Sequence, residues 1–408
     1  MNNLFIYIVT YISLFLTCFF LLTYFENRHR LKNPPAKKLY TVTIAVPVYN
    51  GAKYLRRTVD SLLALDYPRE KLDIIIVDDG STDDTLRIAK SYEKKGVRVL
   101  TQKNAGKGDA LNNALKHAKG ELFGCLDVDS FVEPNALKEM MGYFDNPKVM
   151  AVTPSLKVYH PKTILQRVQA IEFLMGVYLR KAFAFLGSIH VTPGPFTIYR
   201  KKFFDKYGGY DNHNLTEDIE IALRIQSHHY LIENAINASV YTMGVSNFKA
   251  LLRQRLRWYK GFIDNVLNYS HLFSKKYGNL GLFILPSSFL SVLLAVIVVT
   301  WGTIRFIGHS FQAFQDLRAI NFDLLSLLQK PQLFYISIDP LFILSIIAIA
   351  LAITTVLIAK KLSQEKQKLK ISYIYFMFTY LLLFSFWWII AMYYRITGKK
   401  IRWGGRDL

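Results

Sequence analysis

Asp127 and Asp129 stand one residue apart at the end of an apolar run from Leu122 to Ser130. The run reads as a short strand buried on both faces. Carboxylates at the carboxyl end of such a strand lie where ligands bind in open α/β sheets. They repel each other unless a cation joins them. Hard divalent ions, Mg2+ or Mn2+, take such oxygen ligands and can carry a diphosphate. A solvated turn is the alternative for an isolated Asp-x-Asp.

Three other groups could join that chemistry. Asn104 to Gly108 is a glycine loop with Lys107 inside it. It lacks the spacing of a Walker phosphate loop and of a dinucleotide fingerprint. It reads either as a helix cap or as a lysine beside a diphosphate. Thr216, Glu217 and Asp218 open a helix. Thr216 fits a cap, and acids favour a first turn; a carboxylate at that junction could equally take a proton from an attacking hydroxyl. In Gln254-Arg255-Leu256-Arg257-Trp258, the two arginines are two apart, so a helix points them to different sides. Their forks match phosphate oxygens, and Trp258 offers a sugar a flat apolar face.

The elements that must hold these residues follow from periodicity. Strand-like runs occur at Thr41 to Val48, Leu72 to Val77, Val97 to Thr101 and the Asp127 run, with helical spacing between them. Strand alternating with helix four times predicts a doubly wound, mostly parallel α/β sheet. Ser81 or Thr82 is the expected cap of the helix after the second strand. A further strand is expected at Val149 to Pro154. Lys162 to Phe185 is expected as a helix lying on a membrane or lining a groove. Pro193-Gly194-Pro195-Phe196 fixes an irregular loop suited to binding.

The 408 residues are 51% hydrophobic, and the excess sits at the two ends. Leu4 to Phe25, Leu280 to Ile304, Pro340 to Ala359 and Ile371 to Tyr394 are long enough to span a bilayer. Residues 305–339 are too polar for an easy span. Arg28, Arg30, Lys32, Lys37 and Lys38 follow the first segment, which places the next domain in the cytoplasm and reads as an uncleaved helix. The net charge of +21 belongs largely to such flanks. Nucleic acid is not the expected partner, since the aromatics lie in apolar spans and not among basic patches. Basic residues flank both ends of the last segment, so one crossing cannot put both inside. Cys18 and Cys125 predict neither a disulfide nor a thiolate metal site.

Five motifs in order carry a resemblance: Asp78-Asp79-Gly80-Ser81, Asn104 to Gly108, Asp127-Val128-Asp129, Thr216-Glu217-Asp218 and Gln254 to Trp258. In this set the chain resembles membrane-embedded family 2 glycosyltransferases with a GT-A fold. That group includes poly-β-1,6-N-acetylglucosamine, hyaluronan, chitin and cellulose synthases and ceramide glucosyltransferase. The resemblance implies a nucleotide pocket lined by Pro47, Tyr49, Asp78 and Asp79, with Lys107 near the base or diphosphate. It implies Mg2+ or Mn2+ on Asp129 with Asp127, and Asp218 as general base. Gln254, Arg255, Arg257 and Trp258 become the Gln-x-x-Arg-Trp signature at acceptor and diphosphate. Pro193 stands where the similar acceptor-side loops carry a small residue.

The implied arrangement is a transmembrane helix in 1–30 and a cytoplasmic GT-A domain in 41–245. A signature and interfacial segment in 246–275, a membrane region in 280–394 and a basic tail in 395–408 follow. The implied activity is a processive, inverting polymerisation of N-acetylhexosamine from a UDP-sugar, with export and an accessory export subunit as further expectations. The alternative is transfer of one sugar to a lipid. A non-catalytic transporter or scaffold would not need Asp129, Asp218 and Trp258 together.

Overall fold

Between residues 41 and 132 the apolar runs are too short for helices and too apolar for solvent, so they pair as strands. The computed structural model describes residues 3–319, 321–322, 340–403 and 406–407. The chain enters through helix α1 (Asn3–Glu26) and then alternates β1 (Val42–Val48), α2 (Ala52–Leu63), β2 (Leu72–Asp78), α3 (Thr85–Ser91), β3 (Arg98–Thr101), α4 (Lys107–His117) and β4 (Leu122–Cys125). β5 (Ser130–Val132), α5 (Ala136–Met141), β6 (Val149–Val158), α6 (Ile164–Phe185), β7 (Ile198–Arg200), α7 (Lys201–Tyr207), α8 (Glu217–Ser227), β8 (Leu231–Thr242) and α9 (Phe248–Asn268) complete the domain. The sheet order is β3-β2-β1-β4-β7-β6-β8-β5. β1, β2, β3 and β4 pair in parallel, as do β6 and β8, whereas β7 and β5 run antiparallel to their neighbours.

Every residue of β1 is buried. On one face of the sheet its Val42, Ile44 and Val46 meet Leu55, Val59 and Leu62 of α2, which recur at helical spacing. Each such side chain contributes about 1.5–3 kcal/mol by leaving water. Ala45, Ile75 and Val77 point the other way, into a second core with Ala110, Leu111 and Ala114 of α4. This two-sided burial is what a parallel sheet requires.

Three local expectations are corrected. The run Leu122 to Ser130 is not one strand: the ladder stops at Cys125 and resumes at Ser130 on the far edge. Asp127 and Asp129 would bury bare charge if they stayed in the pleat. Ser81 and Thr82 do not cap α3, whose N-cap position is Asp84. Instead the backbone N–H of Asn50 donates to Ser81 Oγ at 2.9 Å, and the Thr82 N–H donates to Asn50 Oδ1 at 2.8 Å. These bonds tie together the loops after β1 and β2. Thr216 occupies the N-cap of α8 without a capping bond; its hydroxyl accepts from Asn265 Nδ2 of α9 at 2.9 Å.

Among the described residues, four helices are long and apolar enough to cross a membrane: Leu4–Glu26, Leu280–Ala319, Pro340–Leu362 and Lys370–Ile396. Their outer faces expose large apolar side chains such as Leu22, Ile304, Leu357 and Phe378, a surface suited to lipid rather than water. The second helix opens with a π turn at Leu280–Ile284 and continues as α10 (Leu285–Ala319). It runs about 60 Å, past the expected end at Ile304. Of the polar stretch 305–339, residues 320 and 323–339 lie outside the described residues. The basic tail after Ile396 is described only in part, with a short antiparallel pair at Arg402–Trp403 and Arg406–Asp407.

α6 joins the two parts of the molecule. Thr163 and Gln166 form a capping box at its start. Ile171, Leu174 and Tyr178 pack with Leu21 of α1 and with Ala359 and Leu362 of the helix Pro340–Leu362. Of the two sequence readings, α6 therefore lines a groove.

Candidate active site

The strand ends and loops of the domain open onto a cavity of about 1100 Å³. Pro47, Tyr49, Asp79, Lys107, Asp127 and Asp129 line one part of it. Asp218, Gln254, Arg255, Arg257 and Trp258 line it too, together with Phe384 and Trp388 of the helix Lys370–Ile396. The fold thus brings eleven of the twelve sequence-identified residues to one cavity. Asp78 is the exception. It lies 2% exposed behind the wall, and its Oδ1 has no hydrogen-bond partner among the described residues.

Asp79 faces the cavity but spends its carboxylate on the glycine loop. It accepts from Gln102 Nε2 at 2.8 Å and from the N–H groups of Ala105 and Gly106 at 2.9 and 2.8 Å. Gly106 has φ +92°, which a side chain would oppose. This turn delivers Lys107 as the first residue of α4. Its Nζ is 2.8 Å from Asp127 Oδ1 and 2.9 Å from Glu217 Oε1. Burial opposes the Lys107 charge, yet the two carboxylates outweigh it and hold the ammonium well above the usual lysine range. A Cβ on Gly194 would lie 2.8 Å from Lys107 Nζ, so a side chain there would push the lysine head away from its present place. The loop is fixed to the end of β4 by the Phe196 N–H, which donates to Cys125 O at 2.6 Å.

Burial, and secondly the charge of Asp127, push Asp129 up to about 6. A carboxylate held up in this way beside a second acid is part of a donor set fitted to a hard divalent cation. No cluster of three or more His, Cys, Asp or Glu suited to a metal occurs among the described residues. Oxygens from a bound diphosphate would complete the shell.

Asp218 is pushed up to about 6, first by burial and then by the neighbouring Glu217. Glu217 goes the other way: burial raises it, but Lys107 and Arg257 outweigh that and leave it below the usual range. Adjacent acids are thus split into an anchored carboxylate and one poised near neutrality. α9 docks closely on this junction. A Cβ on Gly261 would lie 2.4 Å from Thr216 Oγ1, and Asn265 also donates to Asn214 Oδ1 at 2.9 Å.

The arginines of α9 diverge as their spacing predicts. Arg257 Nη1 donates to Leu215 O at 2.9 Å and lies 3.9 Å from Glu217 Oε2. Arg255 is 1% exposed, pairs with Glu172 of α6 at 2.6 Å and lies 4.2 Å from the centre of the Trp258 ring. Sequence reasoning missed Glu172 and the cavity-lining rings of Phe384 and Trp388. Glu172 had a signal: it is the sole acid in α6. Trp388 was read as part of a span, and nothing in its spacing gave its stacking on Tyr259 at 4.6 Å.

Residues 43–208 match the family model described as Glycosyl transferase family 2. A poly-beta-1,6-N-acetyl-D-glucosamine synthase of Staphylococcus epidermidis is 30% identical over 240 residues, 58% of this chain and 58% of that relative. The same enzyme of Staphylococcus aureus (strain COL) is 30% identical over 244 residues, with the same shares. The match thus spans 58% of the length of these relatives. A solved mannosyltransferase from Pyrobaculum calidifontis, in complex with GDP-Man and Mn2+, is similar with a TM-score of 0.59 at 20% identity. That likeness covers 96% of this chain and all of the other, and it bears on fold alone. Residues 43–208 are a family 2 glycosyl transferase domain with a GT-A fold, set among helices long and apolar enough to cross a membrane.

Proposed function

We propose that this chain is an inverting glycosyltransferase that polymerises N-acetylhexosamine from a UDP-sugar into a β-linked polysaccharide. The observation that carries the reading is Asp218, a carboxyl held near neutrality in the same cavity as Asp127, Asp129 and Lys107. The synthase relatives support the polymer and the sugar class.

In this reading Pro47, Tyr49 and Asp79 line the nucleotide end, with Asp78 behind them. Asp129 with Asp127 would hold Mg2+ or Mn2+, which when bound offsets negative charge on a departing diphosphate. Lys107 and Arg257 add fixed positive charge that costs no reorganisation during reaction. Asp218 takes the proton from the acceptor hydroxyl as that oxygen attacks C1, and the C1–diphosphate bond breaks on the opposite face. One displacement inverts the anomeric centre, as in inverting sugar hydrolysis. Trp258, fixed by Arg255, and the Pro193–Phe196 loop position the acceptor. The domain lies on the cytoplasmic side, in keeping with the basic residues after α1.

The test is the purified chain in nanodiscs with Mn2+ or Mg2+ and a panel of radiolabelled UDP-sugars, beginning with UDP-N-acetylglucosamine. High-molecular-weight product, degraded by a matching glycanase, is the expected result. A single labelled species extracting into organic solvent would replace polymerisation by transfer to a lipid.

A further inference from the structure

α6 presents Gln169, Glu172, Phe173, Gly176 and Arg180 to the cavity, a spacing that places them on one helix face. Most cations around that cavity are paired. Lys107 has Asp127 and Glu217, Arg255 has Glu172, and Arg257 has Leu215 O and Glu217. Arg253 is exposed to solvent. Arg180 differs. Among the described residues it has neither an ion pair nor a hydrogen bond, and its Nε is buried. Burial pushes it down to about 10, so it still carries its charge at neutral pH. Arg180 lines the cavity, so an anion arriving there meets a guanidinium that no acid of the described residues already holds.

Its place in the fold narrows the ligand. One turn further along α6, Phe183 packs on Phe20 of α1 with ring centres 5.6 Å apart. Phe183 also joins a cluster with Leu280, Ile284 and Leu285, where α10 begins. Arg180 therefore lies where α6 passes from the sheet to the membrane helices. Apolar side chains of the same cavity include Val191, Phe262, Val292 and Trp388. The occupant must combine an anionic head with an apolar body.

We propose that Arg180 forms a phosphate subsite on the acceptor side of the cavity, filled by the monophosphate head of a lipid. The guanidinium fork matches phosphate oxygens in a bidentate manner. The assignment rests on the glycosyltransferase reading for the word acceptor only, because the binding itself needs no sugar transfer.

The experiment uses the full chain in nanodiscs of uncharged lipid. Binding of a long-chain alkyl monophosphate, of the corresponding neutral alcohol and of inorganic phosphate is measured for the wild type, Arg180→Gln and Arg180→Lys. The wild type is expected to bind the monophosphate and not the alcohol. Arg180→Gln should weaken that binding about tenfold or more, with Arg180→Lys intermediate and UDP binding unchanged. A monophosphate that binds more tightly than inorganic phosphate assigns the lipid head. Equal affinities keep the phosphate subsite and assign it to free phosphate. Equal monophosphate binding in wild type and Arg180→Gln overturns the proposal, as does an alcohol that binds as well as the monophosphate. A loss of UDP binding in Arg180→Gln with an unchanged unfolding midpoint also overturns it, by moving Arg180 to the nucleotide end. If Arg180→Gln does not fold, the wild-type preference and Arg180→Lys decide. Failed polymerisation with intact monophosphate binding would sink the polymerase reading alone.

Discussion

The end of the cavity proposed for the nucleotide is built from loops at strand ends, whereas the end proposed for the acceptor is built from helix faces. At the first, Asp79 accepts from Gln102 and from two N–H groups of the glycine loop, and Lys107 pairs with Asp127 and Glu217, all through bonds of 2.8–2.9 Å. At the second, one pair, Arg255 with Glu172, lies beside the rings of Trp258 and Trp387. The contrast fits two kinds of ligand. A charged diphosphate needs preorganised dipoles and cations, and a sugar chain or lipid needs apolar faces with few polar anchors.

Replacing Asp218 by Asn should make the largest difference, and only to chemistry. Transfer should fall by about 10²–10⁴-fold, the usual contribution of a general base, with UDP binding retained. Titration calorimetry beside a radiolabel assay checks both halves, and normal turnover would remove Asp218 from its role. Glu172→Gln strikes the other end. It strands a buried guanidinium and should cost about 3–5 kcal/mol of stability in denaturant unfolding. A loss under about 1 kcal/mol would mean that the acceptor end does not depend on this pair.

Acid offers a subtler probe. Asp218 must be ionised to accept a proton, and burial with the neighbouring Glu217 pushes it up to about 6. Transfer under subsaturating substrate should rise with pH through about 6 and fall about tenfold for each unit below it. In Asp218→Asn the residual rate should lose that limb. The smallest effect is expected away from the cavity. Lys38→Ala breaks an exposed bridge to Glu121 at 3.0 Å and should change stability by less than about 1 kcal/mol.

The sequence made the nucleotide end legible because its chemistry is local. A strand, a tight turn and a helix start are neighbours in the chain, so Asp127, Asp129 and Lys107 could be picked out as cavity residues before any packing was known. Asp78 shows the limit: its neighbour Asp79 reaches the cavity, and alternation along β2 turns Asp78 away. The acceptor end was less legible. Glu172 and Arg255 are 83 residues apart, and Trp388 lies far beyond both. Nothing local marks which face of an apolar helix will meet which arginine.

The sequence by itself determined the alternating α/β plan, the four long apolar helices and the order of the five motifs. Each follows from periodicity or from short-range backbone chemistry. Only the tertiary structure decided that Glu217 is anchored while Asp218 is poised, because that depends on how closely Lys107 and Arg257 approach. It alone decided that Arg255 is spoken for and that Arg180 has no partner among the described residues. Charge pairing across α6 and α9 is set by how two helices pack, and helix packing is not written in either helix alone.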